Sequence, residues 1–148
     1  MMDRAEYLDL FDSLDDQTHW EFPEGFSWRV AERKFLALAE DVEQALGEKC
    51  SVDYYSAIQD ASFHAQLHVP KSCILEAYAI KLRVSNFGGL ATLYDADDLV
   101  KPACADKIKD ALKRHGYNYV PSWILREPYD DRKNIGIRDW GVRYFDWL

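Results

Sequence analysis

Between Ile74 and Asp95 the residues Tyr78, Ile80, Leu82 and Val84 alternate with Ala77, Ala79, Lys81 and Arg83. A period of two sends successive side chains to opposite faces, so the pattern predicts a half-buried strand over 76–85. Ser85-Asn86-Phe87-Gly88-Gly89 follows with residues that tolerate positive φ, and a short β-like run resumes over 90–94. Two such runs across a glycine-bearing turn predict a hairpin. Upstream, Ala61, Phe63, Ala65, Leu67 and Val69 alternate with Ser62, His64, Gln66 and His68. This predicts a strand over 61–69 with one apolar and one polar face. Val52, Tyr54 and Tyr55 suggest a further strand before it.

The helical period occurs three times. Tyr7, Leu10, Phe11 and Leu14 follow Asp3-Arg-Ala-Glu6, whose spacing is that of a capping box, so a short amphipathic helix is expected. Trp28, Ala31, Phe35, Leu38, Val42 and Ala45 make a longer stripe, widened by Ala39 and Leu46. Ser27 can cap this helix, Gly47 fits its C-terminal end, and its length is about 28 Å. In the third, Pro102 suits a first turn, Cys104, Ile108, Ala111, Leu112 and His115 share a face, and Gly116 closes. Residues 15–25 have no period and several breakers, so they form a connecting loop with Trp20 and Phe22 tucked under the body. Residues 117–148 admit short strands or single-turn helices, and their aromatic end predicts a packed segment. The pattern is that of an α+β domain over 1–148. An antiparallel sheet of four or five strands carries the helices 27–46 and 102–115.

A chain of 148 residues buries roughly 70% of its unfolded surface, enough for a core without metals or disulfides. Its net charge of −8 is uneven: 15 acidic and 5 basic residues lie within 1–60, against 11 and 13 beyond. Such a balance excludes sequence-independent nucleic-acid binding, which needs a basic surface. The acidic part is either a solubilising face or a surface that meets a basic partner. Cys50, Cys73 and Cys104 share no CxxC spacing, so no zinc or redox motif and no disulfide framework is expected. Small core residues are the simpler reading. No apolar run approaches 18 residues and the first residues lack a signal-peptide pattern, so a soluble, cytoplasmic protein without membrane association is expected.

Candidate chemistry is thin. His64-Ala-Gln-Leu-His68 lacks the glutamate of a zinc protease, and on a strand the two histidines stand about 13 Å apart. They are expected to face outward, partly exposed, rather than to hold metal. Asp95, Asp97 and Asp98 lack the EF-hand spacing and read as a helix or turn start. Asn86-Phe-Gly-Gly89 has neither P-loop nor dinucleotide spacing. No serine has a Gly-x-Ser-x-Gly setting, and a Cys–His pair, which only the fold can assemble, stays open. The expectation is a protein without catalytic residues, metal or cofactor.

Leu82-Arg-Val-Ser-Asn-Phe-Gly-Gly-Leu-Ala-Thr-Leu93, with Leu125-Arg-Glu-Pro-Tyr-Asp130 and Trp140-Gly-Val-Arg-Tyr-Phe-Asp-Trp-Leu148, resembles small acidic bacterial proteins of the toxin-immunity type. The resemblance covers roughly the C-terminal half. It implies a cytoplasmic binding protein that neutralises a toxin by direct contact. Immunity families share no catalytic motif, so no functional residue is carried over. The acidic excess then suggests a basic, nuclease-type toxin as partner, met by Asp15, Asp16, Glu21 and Glu24 in the 15–25 loop, because loops present carboxylates without disturbing a core. Two other classes remain: a small-molecule-binding or hydrolytic domain with an aromatic pocket, and a structural subunit whose aromatic end is an oligomer interface.

Overall fold

The computed structural model describes residues 2–54 and 58–148; Tyr55, expected in the first strand, lies outside them. Helices α1 (Arg4–Leu14) and α2 (Trp28–Leu46) precede strands β1 (Val52–Tyr54), β2 (Phe63–His68), β3 (Lys81–Ser85) and β4 (Leu90–Thr92). Then come α3 (Pro102–Arg114), β5 (Asn118–Tyr119) and the short helices α4 (Ser122–Leu125) and α5 (Trp140–Phe145). This is an α+β fold. Its helix ends follow local chemistry. The Asp3 carboxylate accepts from the Glu6 N–H at 2.9 Å, the Ser27 hydroxyl accepts from the Val30 N–H at 3.3 Å, and Gly47 leaves α2 at φ +72°.

The strands lie in sequence order, β1-β2-β3-β4-β5. All pairings are antiparallel except the last: α3 crosses over between β4 and β5, so β5 runs parallel to β4, with Leu90 opposite Asn118. Gly88 and Gly89 turn the β3–β4 hairpin at φ +60° and +65°. A side chain at Gly88 would strike Leu14, so glycine there lets the hairpin tip dock against the end of α1.

The third strand begins later than its alternation predicts. Residues 73–75 pair instead with 99–101: the Leu75 N–H donates to the Leu99 carbonyl, and the Lys101 N–H to that of Cys73, both at 2.8 Å. Residues 76–79 are thereby forced into an outer loop. Ile80, Leu82 and Val84 are buried as the alternation requires, whereas Tyr78 is 63% exposed. The same pairing brings Cys73 to the start of α3, where it forms a disulfide with Cys104, their Cα atoms 5.8 Å apart. This corrects the expectation of three independent thiols; only Cys50 stays free and buried.

Most of the buried apolar residues gather into two cores, beside a small cluster of Ile58, Ala61 and Phe63. In the first, Phe35, Leu38 and Val42 of α2 and Ile108, Ala111 and Leu112 of α3 cover Leu67, Leu82 and Val84 of the sheet. The second is aromatic: Tyr7 and Phe11 of α1 pack with Phe87, Trp140, Tyr144 and Phe145. The far face of the sheet is only partly open to water, His68 and Asp53 being its exposed end. Ser62 and Gln66 are buried, as is His64 on the α2 side, contrary to the polar, exposed face that their alternation suggests. The segment ending in α5 covers part of that face: Ser62 N–H donates to the Asp146 carbonyl at 2.9 Å, and Arg83 Nη1 to that of Phe145, also at 2.9 Å.

The centre of the α2 stripe carries the first core. Leu38→Ala, at a fully buried site, is expected to lower the unfolding free energy by about 2–5 kcal/mol, read as a reduced denaturant midpoint with an unchanged slope.

Candidate functional site

The loop between α1 and α2 is irregular in sequence yet firmly held. Its anchor is Arg143 of α5, which is wholly buried. The guanidinium donates Nε–H to Asp15 Oδ1 at 2.9 Å, Nη1 to the Trp20 carbonyl at 3.0 Å, and Nη2 to the carbonyls of Asp16 and His19 at 3.0 and 3.1 Å. It also lies 4.8 Å from the Trp20 ring and 4.5 Å from that of Phe87. The second Asp15 oxygen accepts from Tyr129 Oη at 2.7 Å and Lys133 Nζ at 3.2 Å. A buried ion pair survives only when its remaining polar atoms are satisfied, and these are.

This geometry sorts the four acidic residues singled out in the loop. The Asp15 side chain is 2% exposed and its oxygens are engaged inside the molecule, so it offers nothing to a partner and leaves the surface set. Asp16 accepts from the Thr18 N–H at 2.9 Å and its hydroxyl at 2.7 Å, with His19 Nδ1 2.6 Å away. The two Thr18 bonds hold its carboxyl down at about 2. Glu21 and Glu24 point to solvent, with no side-chain hydrogen bond or ion pair among the described residues. Phe22 also reaches the surface, 37% exposed, rather than tucking under as Trp20 partly does. It joins Phe26 and Trp28 in a ring cluster, with centroids 6.0 and 6.1 Å from its own. The outcome is a rigidly tethered loop that displays aromatic rings beside two free carboxylates.

Behind Phe26 lies a cleft of about 470 Å³. It exists because β2 is irregular: Phe63 pairs with Ser85 and Ala65 with Val84, leaving His64 as the extra residue of a bulge. The bulge breaks the alternation. Phe63 packs on Arg83 and Trp147, whereas the His64 ring sits 5.6 Å from Phe26 in the cleft walled by Val30, Ala31 and Lys34 of α2. Asn86 fixes the imidazole. Its Nδ2 donates to the carbonyls of Glu21 at 2.7 Å and Ala61 at 3.2 Å, so its Oδ1 must be the atom 3.0 Å from His64 Nδ1. Neutral His64 therefore carries its proton on Nδ1 and leaves Nε2 as a bare acceptor. Burial, with a contribution from the Lys34 ammonium, pushes its pKa down to about 4. His64 Nε2 and Tyr117 Oη, in residues lining this one cleft, are buried without a hydrogen-bond partner.

The remaining candidates are structural. His68 lies on the opposite face from the cleft, 2.6 Å from Asp53, so the two histidines share no site. His64 is buried, not outward-facing and partly exposed, and the bulge is the reason. Among the described residues no group of three potential ligands could hold a metal ion. Asp97 accepts from the Tyr119 hydroxyl and from the Ser122 N–H, tying its turn to the segment after β5. The free thiol of Cys50 is pushed up to about 11 by burial and nearby glutamates, an inert setting. Neither Arg143 nor the His64–Asn86 pair belongs to a recognisable motif in the sequence. An arginine embedded in Trp-Gly-Val-Arg-Tyr-Phe, a run that must be buried, is the signal that marks the first; the second has none, since nothing local announces the bulge.

No protein family, curated protein or solved structure matches this chain.

Two outcomes test this geometry. Asp15→Asn or Arg143→Met leaves one buried charge unpaired and is expected to cost about 3–5 kcal/mol by denaturant titration. For His64, the folded-state pKa near 4 lies below its ordinary 6.5, so its contribution is present above pH 6.5 and lost as pH falls towards 4. That loss amounts to about 3 kcal/mol. In His64→Phe, whatever its absolute stability, the slope of unfolding free energy between pH 7 and 5 is expected to be flatter than in the parent.

Proposed function

We propose that the protein is a non-catalytic binding protein that neutralises a bacterial toxin by direct contact in the cytoplasm, with the loop between α1 and α2 as its contact surface. One observation carries the reading: a surface loop of this length is anchored by a fully buried arginine while it turns Phe22, Glu21 and Glu24 outward. Ordering a loop on association costs about 0.5–1.5 kcal/mol per immobilised long side chain, and a loop already held by Arg143 avoids much of that cost. Exposed aromatic rings beside carboxylates are the composition of an interface centre with a charged rim.

The charge distribution adds support for a basic partner. Many N-terminal acids act inside the molecule: Asp41 is bonded to Arg114 and His115, Glu43 to the Cys50 N–H, and Asp53 to Gln66 and His68. Glu21 and Glu24 remain free to steer association with a cationic cleft such as that of a nuclease-type toxin. No helix among the described residues is long and apolar enough to cross a membrane.

The test uses the protein encoded by the adjacent gene and stopped-flow association. Glu21→Lys with Glu24→Lys is expected to slow association about tenfold or more at low salt and to remove its salt dependence, with the melting temperature unchanged. Phe22→Ala is expected to raise the dissociation rate instead. An adjacent product that does not bind, or on-rates indifferent to charge reversal at every ionic strength, would sink the assignment of this loop.

A further inference from the structure

The cleft behind Phe26 has a chemistry of its own, separate from the outward face of the loop. Its two unpartnered polar atoms sit in residues that are more than nine-tenths buried, His64 at 5% and Tyr117 at 7% exposure. Leaving a buried polar atom without a partner is costly, and native structures keep few such atoms without a reason. Here both residues line one cleft, together with a cation, Lys34. Lys34 Nζ stands 4.2 Å from the centroid of the Tyr117 ring and forms no ion pair among the described residues. It lies over Gly89 and Gly116, where a Cβ would come within 3.8 and 3.9 Å of it. Both glycines have positive φ, +65° and +78°, a backbone conformation that disfavours side chains there.

The groups differ in what they accept and donate. Tyr117 holds its proton, because burial raises its phenol, so it can donate; the Lys34 ammonium donates only. His64 Nε2 is the reverse. Its tautomer is set by Asn86, which is itself fixed by two carbonyls, so Nε2 can only accept while the imidazole is neutral. Phe26, Val30 and Ala31 add an apolar wall, and the polar side chains of Ser27, Ser85 and Asn86, which also line the cleft, are bonded within the molecule. A ligand that satisfies the whole set bears an anionic acceptor for Lys34 and Tyr117, a hydroxyl or N–H for His64, and an apolar body. We infer that this cleft is a binding site for a small monocarboxylate carrying a hydrogen-bond donor and an aromatic or branched apolar body. Pockets of this kind combine apolar walls with a few placed polar groups. The size, about 470 Å³, admits such a molecule and excludes a folded partner.

Calorimetric titration of the intact protein at pH 7.5 with two matched pairs of probes tests the site. Phenyllactate is compared with 3-phenylpropionate, and 4-hydroxyphenylacetate with phenylacetate; each second member lacks the donor. Phenyllactamide lacks the charge. At least one donor-bearing acid is expected to bind 1:1, its donor-free match about tenfold more weakly, and the amide more weakly still. Lys34→Met, a solvent-facing change on α2, is expected to weaken binding about tenfold or more without altering the melting temperature. Tyr117→Phe removes only the unpartnered hydroxyl, so it should weaken binding while the empty protein melts at the same or a higher temperature. That opposite movement of affinity and stability is what a purely structural tyrosine would not produce. Failure of both donor-bearing acids to saturate overturns the site, as does equal binding by their donor-free matches or by the two variants. None of these measurements involves a protein partner, so they stand or fall apart from the toxin-binding reading.

Discussion

A guanidinium with no access to water holds this molecule in one arrangement. Moving Arg143 and Asp15 out of solvent costs several kcal/mol per ion, which their attraction offsets only because the pair is embedded in further bonds. Three backbone carbonyls, the Tyr129 hydroxyl and the Lys133 ammonium supply them. The rings of Trp20, Phe87 and Tyr144 close around the planar cation. Through these contacts one side chain ties the end of α1, the irregular loop, the β3–β4 hairpin tip and α5. Such a pair specifies geometry more than it adds stability, since an apolar replacement could fill the space but could not gather three carbonyls from a loop with no period of its own.

The bulge at His64 has a comparable reach within the sheet. By shifting one residue out of register it sends Phe63 to the Arg83–Trp147 face and seats an imidazole beneath α2. The same shift places Asn86, at the hairpin turn, where it can bond His64, Ala61 and Glu21 together. The loop and the cleft are thus neighbours for a structural reason: the carbonyl of Glu21 belongs to the loop, and the amide that it orients fixes the histidine. The acidity of the N-terminal part is divided in the same way. Residues such as Asp15, Asp16, Asp41 and Asp53 bond within the molecule, and net charge alone overstates what the surface presents.

Local pattern determined much of the architecture. The capped helices α1 and α2, the proline-started α3, the glycine hairpin and the α+β class are all written in periodicity and end residues, because each depends on neighbours within a few positions. The later start of β3, the Cys73–Cys104 pairing and the parallel β5 were decided by tertiary structure. In each case a partner far along the chain competed for the same backbone or sulfur. The 117–148 segment had no legible pattern because its short elements are held by packing rather than by period.

The candidate site divides along the same line. Sequence placed free carboxylates in the 15–25 loop, and Glu21 and Glu24 are there at the surface. Composition could not tell them from Asp15, since a carboxylate 128 positions from its arginine looks like any other acid until the chain folds. Alternation likewise set His64 and His68 on one face. A single extra residue in the register, which no local preference announces, turned the first inward to a cleft and left the second with Asp53.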